Sequence, residues 1–266
     1  MITVTSLSTK GGSGKTTLIQ MLASGALARG LRVHALDGDT DQQLTEWRAK
    51  SDAADWNGLQ RVSWPEGLTI GPIPETVDAL YEALNGWEED GIDLVLIDTR
   101  PGENPETENL ALAADMIVVP AVPTQSDFVA VQKTLDWIDR MAATLADGYP
   151  QPLRGVVMLN APPKAMALVT AANEAELARA RDKVHAQDLE VYEVVKRMPM
   201  LPTPVPTSQT FRRMPLSGPL TVVRDTYATD PRSRLAAGHI KAALDYCEEL
   251  LVDIETAVKN REEAVA

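Results

Sequence analysis

Short apolar or β-branched runs alternate along this chain with longer stretches in which apolar residues recur every three or four positions. The short runs, read as strands, are Ile2 to Ser8, Arg32 to Leu36, Leu68 to Gly71, Leu94 to Asp98, Met116 to Pro120 and Gly155 to Asn160. Between them, Gly14 to Arg29 reads as a helix with Gly30 as its stop signal, and Val77 to Leu84, Glu106 to Ala114 and Gln125 to Leu145 as further helices. Ala171 to Gln187 is alanine-rich and charged, which predicts a solvated helix. Prolines at 199, 202, 204 and 206 exclude a regular helix from Met198 to Pro206 and predict an extended connection. Ile240, Leu244, Cys247, Leu251, Ile254 and Val258, spaced four and three apart, predict a C-terminal helix over about 232–260. Strand alternating with helix is the signature of βαβ units, so the expected class is α/β, a mostly parallel twisted sheet flanked by helices.

Composition narrows this picture. A chain of 266 residues can bury one large α/β core, and no Pro/Gly/Ser-rich linker divides it, so a single domain is expected. No stretch approaches the roughly 18 apolar residues of a membrane span, and Met1 to Leu7 lacks the form of a secretory signal. A soluble, cytoplasmic protein is expected. Cys247 is the only cysteine, which excludes an intrachain disulfide, and its place in an apolar series predicts a buried structural thiol. His34, His185 and His239 follow no metal-ligand spacing and read as surface or packing residues.

The net charge of −13 opposes contact with nucleic acid or anionic lipid, but it is unevenly spread. Residues 1–150 carry 10 basic and 23 acidic side chains, whereas residues 151–250 carry 13 and 11. A basic surface is possible only in the second half, where Arg179, Arg181, Lys183, Lys196, Arg197, Arg212, Arg213, Arg224, Arg232 and Arg234 lie. Scattered solvated charge on helix faces is the competing reading.

The chemistry begins at Lys10 to Thr17, KGGSGKTT, between the first strand and the first helix. Glycines at 11, 12 and 14 let the backbone turn so that amide hydrogens of Gly11, Gly12, Ser13, Gly14, Lys15, Thr16 and Thr17 converge on phosphate oxygens. Lys15 is placed to contact the β and γ phosphates and Thr16 to give its hydroxyl to Mg²⁺, with the positive end of the helix behind them. The usual pattern opens with glycine; here that position is Thr9, and a second lysine, Lys10, stands beside it.

Asp37 and Asp39 flank Gly38 at the end of the second strand, and Asp98 ends the run IDLVLID. Beside a Mg²⁺-bound triphosphate, one carboxylate can hold a metal-bound water while another orients the attacking water. Pro101 and Gly102 then allow a sharp turn whose backbone amide is placed to sense a γ phosphate. Asn160, at another strand end, offers the donor and acceptor that adenine recognition needs, or is simply a turn residue. In an open parallel sheet all these strand ends converge on one crevice.

Together these residues resemble the ParA/MinD family of deviant phosphate-loop ATPases over nearly the whole chain. The resemblance rests on KGGSGKTT with Lys10 in the signature-lysine position, DGD at 37–39, IDTRPG from Ile97 to Gly102, and Asn160. It implies one ATPase domain over 1–266, with ATP and Mg²⁺ as cofactors and a homodimer that sandwiches ATP. Lys10 would cross to the partner's phosphates, Lys15 would act on its own, Asp39 would be the catalytic carboxylate, and Asp37 and Asp98 would handle Mg²⁺. Thr40 and Asp41 replace the Pro and Gln found in many partition ATPases, and Arg100 replaces a proline after Asp98-Thr99. DTR at 98–100, LTEWR at 44–48 and TDP at 229–231 look more like the VirC-type branch, which helps position the DNA-transfer complex in conjugation. An arginine common three residues before the position of Phe211 is Ser208 here.

The chain starts almost at the phosphate loop, which leaves no room for an N-terminal helix-turn-helix and implies a short ParA. Such proteins bind duplex DNA nonspecifically as ATP dimers; Arg212, Arg213 and Arg224 are the candidate phosphate contacts. The implied function is positioning a plasmid, relaxosome or other cargo on the nucleoid, with a ParB-like or relaxosome adaptor stimulating hydrolysis. The alternatives are a MinD-like membrane-cycling ATPase, a metabolic phosphate-loop ligase or cluster carrier, and an ATP-switch scaffold. The acidic polar side of the C-terminal helix, Asp245, Glu248, Glu249, Asp253 and Glu255, opposes the membrane version.

Overall fold

A computed structural model describes residues 1–53, 62–146, 149–184, 186–195, 197–229, 231 and 233–265. His185, Lys196 and Arg232 lie outside the described residues. In chain order the elements are β1 (Ile2–Ser6), α1 (Lys15–Ala28), β2 (Val33–Gly38), α2 (Gln43–Ala53), β3 (Leu68–Pro72), α3 (Val77–Glu89), β4 (Leu94–Thr99), α4 (Pro105–Leu112), β5 (Met116–Ala121), α5 (Gln125–Ala142) and β6 (Leu153–Met158). Then come α6 (Pro163–Val169), α7 (Glu174–Arg181), α8 (Ala186–Val195), α9 (Gln209–Ser217), α10 (Leu220–Thr229) and α11 (Arg234–Val265).

The strands form one sheet in the order β3-β2-β4-β1-β5-β6, with every pair parallel. From β1 the chain builds first to one side and then, after β4, crosses to the other. The carboxyl end of β1 is therefore a switch point, where loops on either side diverge and leave a crevice. The register across the centre sets Asp37 beside Asp98 and Asp98 beside Ser6, so two carboxylates and a hydroxyl line that edge.

One face of the sheet is covered by α1, with α2, α9, α10 and α11 around it; the other is covered by α3, α4, α5 and the end of α8. Leu18, Ile19, Met21, Leu22, Ala23 and Ala26 of α1 are all fully buried, because α11 lies on the side turned away from the sheet. That explains why α1 has no polar stripe. The helices meet closely at Gly25, where a Cβ would stand 2.5 Å from the carbonyl oxygen of Cys247. Cys247 is the buried structural thiol its spacing predicts, and burial raises its pKa.

All six strands and the helices before residue 145 fall where the pattern places them, apart from α2. β1 stops at Ser6 and β6 at Met158, short of the expected Ser8 and Asn160, because the chain there leaves the sheet to form the site loops. The helix read across Ala171 to Gln187 is two, α7 and α8; Asp182 caps the first, and Asn173 starts it by accepting a bond from the Glu176 amide. The C-terminal helix runs from Arg234 to Val265, longer at its end than expected. The proline-rich segment is extended, as its sequence requires, and runs beside β6. The Val156 amide donates to the Pro199 carbonyl, and the amides of Leu201 and Val205 donate to Val156 and Met158. It thereby covers an edge that would otherwise expose unpaired backbone.

Candidate functional site

The loop between β1 and α1 is shaped by its glycines. Gly12 (φ 68°) and Gly14 (φ 101°) adopt the left-handed conformation that costs other residues free energy, and a Cβ on Gly14 would meet Leu159 at 2.7 Å. No side chain caps α1. Among the described residues, none of the amide hydrogens from Gly11 to Thr17 has a hydrogen-bond partner. A run of unsatisfied donors at a helix N-terminus is a concave anion site.

These amides open into a cleft of about 350 Å³ that also borders Asp39, Thr40, Asp41, Gln43 and Pro101. A smaller pocket of about 200 Å³ adjoins it through Gly12, Ser13, Gly14 and Thr17, and is walled by Val122, Leu159, Asn160 and Phe211. One compartment is polar and rich in donors, the next apolar with a carboxamide at its rim. Phosphates and a base would divide between them in that way.

Asp98 is fully buried. Its Oδ2 accepts the Thr16 hydroxyl at 2.5 Å, while its Oδ1 has no partner. Burial pushes the Asp98 carboxyl up to about 7; the Thr16 bond and the Lys15 charge pull it down, and Asp37 and Asp39 push it up. The Lys15 ammonium is also buried, which lowers its pKa against the opposing pull of Asp98 and Asp39. Asp37 grips the start of α2: its Oδ2 accepts both the amide and the hydroxyl of Thr45, at 2.8 and 2.9 Å, leaving Oδ1 buried and unpartnered. Asp39 is half-exposed on the cleft wall and accepts the Asp41 amide at 3.1 Å.

The buried, unpartnered oxygens of Asp37 and Asp98, with the Thr16 hydroxyl, form the hard-oxygen donor set that Mg²⁺ prefers. Among the described residues no three His, Cys, Asp or Glu side chains are arranged to chelate a metal by themselves. A cation held here would take its remaining ligands from phosphate and water, as Mg²⁺ commonly does.

Lys10 does not reach into the cleft. Its ammonium, largely exposed, bonds Asp127 Oδ1 at 2.7 Å, at the start of α5. Burial works against the Asp127 charge, but the bonds from Lys10 and Thr124 outweigh it and hold the carboxyl below its ordinary range. Thr9 also has a structural reason to replace glycine: its amide donates to Thr134 Oγ1 and its hydroxyl to the Ala130 carbonyl, pinning the loop to α5. In the turn whose backbone amide was expected to sense a γ phosphate, the Gly102 amide donates to the Ser8 carbonyl at 3.2 Å. Arg100 points away from the cleft chemistry, bonding Asn104 and pairing with Glu106 at the start of α4.

Asn160 is left-handed (φ 53°), which asparagine tolerates, and its side chain has no hydrogen-bond partner among the described residues. Turn and pocket-rim roles therefore coincide in one residue. Ser208 caps α9 by accepting the Thr210 amide. Arg212 and Arg213 are exposed on α9 with no ion pair among the described residues. Arg224 differs: it pairs with Asp225 at 2.7 Å and lies near Glu248 and Asp245, so its charge is already compensated. The sequence reading missed Asp127, Thr45 and the pocket wall at Phe211. The only trace of Asp127 was Thr124 three residues earlier, a helix-start pattern.

The model of the family described as VirC1 protein matches residues 1–152. This chain belongs to the VirC1 family. Protein virC1 of Rhizobium radiobacter is 24% identical over 242 residues, spanning 91% of this chain and 92% of that one. The VirC1-family fold seen here also superposes on the MinC:MinD cell division protein complex of Aquifex aeolicus, with a TM-score of 0.62, 12% identity and 96% of each chain covered. On pNOB8 ParA bound to nonspecific DNA the TM-score is 0.58, with 16% identity over 96% of this chain and 99% of that one. The VirC1 family thus shares the ParA/MinD fold, as the loop and carboxylate motifs implied.

Proposed function

We propose that this VirC1-family chain is a Mg²⁺-dependent ATPase that dimerises around ATP, binds duplex DNA without sequence preference, and positions a plasmid, relaxosome or other cargo on the nucleoid. The observation that carries the reading is the cradle from Gly11 to Thr17, whose amides are all unpartnered, facing Asp39 across a cleft closed below by Asp98 and Thr16. The amides and Lys15 bind the β and γ phosphates and stabilise charge that moves onto the leaving oxygen. Thr16 and Asp98 would hold Mg²⁺, which supplies neutralisation of phosphate charge when bound. Asp39, half-exposed on the γ side, orients the attacking water and accepts its hydrogen bond, so that water adds to the γ phosphorus as the bond to ADP breaks. Asn160 reads the base from the rim of the smaller pocket.

Lys10 is exposed at the mouth of the site and held by a single ion pair, which supports a role across a dimer seam rather than in its own cleft. Arg212 and Arg213, exposed and without an ion pair among the described residues, are available to DNA phosphates, whereas Arg224 has acidic neighbours that would compete. The relative whose structure contains nonspecific DNA supports the same partner here. Against a membrane cycle, the apolar stripe of α11 is buried on α1 and its outer side is acidic. No helix among the described residues is long and apolar enough to cross a membrane. Against a cluster carrier, Cys247 is sealed beneath α1.

Sedimentation with ATP, ADP or no nucleotide tests the ATPase cycle. Asp39→Ala should accumulate as an ATP dimer with hydrolysis lost, and Lys10→Ala should stay monomeric in every state. A Lys10→Ala protein that dimerises and turns over ATP normally would remove the cross-dimer role.

A further inference from the structure

The cleft wall beside Asp39 leads directly into α2, and α2 is joined to α9 by a buried bond. Trp47 is 1% exposed, and its indole N–H donates to the Met214 carbonyl at 2.9 Å. Two residues earlier, in its first turn, α2 hangs from Asp37 through the amide and hydroxyl of Thr45. The residue that joins the Asp39 loop to α2, Gln42, has φ 48°, a left-handed conformation that disfavours side chains other than glycine, asparagine and aspartate. Between the helices and α1 lies a polar cleft of about 460 Å³, walled by Gln20, Gln43, Glu46, Lys50 and Pro215. So α2 is tied at Thr45 and Trp47, strained at its entrance, and has open space on one flank.

We infer that Trp47 carries the nucleotide state from the Asp39 loop to α9, moving Arg212 and Arg213 together as α2 shifts. Two routes lead from the nucleotide to α9, and they are separable. Phe211 of α9 walls the base pocket, but ATP and ADP carry the same base, so this contact is equal in both states. The γ phosphate distinguishes them, and the wall of the cleft facing the phosphate cradle includes Asp39, Thr40, Asp41 and Gln43, which lead into the start of α2, along with Pro101. A displacement there is transmitted because Trp47 is packed edge-on against Trp64 at 5.2 Å and cannot rotate away from Met214 without leaving its site. Met214 keeps a second donor, the Gly218 amide at 3.2 Å, so removing the indole N–H does not orphan its carbonyl. The last step, from α9 to DNA, rests on the function proposed above; the coupling of α2 to α9 does not.

The test measures hydrogen exchange over 209–217 in the full chain with ADP or a non-hydrolysable ATP analogue, for the native protein, Trp47→Phe and Thr45→Val. The native protein should exchange differently in the two states, and each variant should lose most of that difference at saturating analogue, with Trp47→Phe binding the analogue within about twofold of native. Should Trp47→Phe fail to fold, Thr45→Val alone decides, since Thr45 lies on the surface. No nucleotide difference in native α9, or a full difference in the variants, overturns the link. In parallel, affinity for a random duplex is measured in both states. Coupling predicts that the ATP-to-ADP affinity ratio falls about fivefold or more in the variants. A merely loosened α9 would weaken both states equally, leaving the ratio intact. If exchange follows the prediction while the native protein binds no DNA, the link stands and the DNA function fails.

Discussion

Asn in place of Asp98 would test the electrostatics of the site directly. The Asp98 carboxyl is fully buried and its pKa stands at about 7 against 3.8 when unperturbed. Because the folded state holds this proton more tightly than the unfolded chain, the stabilisation is whole below about pH 3.8 and is lost as pH rises to about 7. At about 1.4 kcal/mol per pKa unit the complete loss is about 4 kcal/mol, of which roughly 3 kcal/mol falls between about pH 5 and pH 8. Asparagine stays neutral and its carbonyl can still accept the Thr16 hydroxyl, so Asp98→Asn escapes that loss. Urea unfolding of the nucleotide-free proteins across this range should show the variant gaining about 3 kcal/mol on the native protein as pH rises. Titrating groups that do not interact with Asp98 cancel in the difference. Magnesium with nucleotide should reverse the order at neutral pH, stabilising the native chain and not the variant. A stability difference that is constant with pH would refute the claim that burial sets the state of Asp98.

Three further substitutions probe other parts of the account. Gly25→Ala sets the helix propensity gain of about 1 kcal/mol against a Cβ 2.5 Å from backbone oxygen of α11, and overpacking should win by about 1–2 kcal/mol in urea unfolding; a more stable variant would contradict the packing. Asp127→Asn frees Lys10 from an ion pair exposed on the lysine side and worth about 1 kcal/mol, so the ATP dimer should tighten by about two- to fivefold in sedimentation; a weaker dimer would mean that Asp127 acts across the interface instead. Asn160→Gly keeps the left-handed turn and deletes the carboxamide, so preference for ATP over GTP should drop about tenfold; an unchanged preference would leave Asn160 a turn residue only.

The parallel sheet was legible because its strands are unbroken apolar runs ending in Asp37, Asp98 and the phosphate loop, and because consecutive βα units leave few ways to connect them. What the pattern hid was helix with little apolar face. In α2 only Leu44, Trp47 and Ser51 are buried, a stripe too thin to stand out beside DGDTDQQ, which reads as a turn. α9 was not read at all, and its Pro215 sits in the last turn, where the chain is about to leave the helix. The site's loop and carboxylates were visible as motifs, since their chemistry is local in sequence. Its ties were not: Lys10 to Asp127, Thr9 to Thr134 and Trp47 to Met214 join residues more than a hundred positions apart, and no spacing rule encodes them.

Whether the chain is a DNA-positioning ATPase is decided by binding of a random-sequence duplex to the Asp39→Ala protein, with ATP, ADP or no nucleotide across a salt series. The account predicts binding with ATP alone, with affinity falling as salt rises because phosphate contacts release counterions. Absence of binding in every state, or binding indifferent to nucleotide, would contradict a DNA-positioning ATPase.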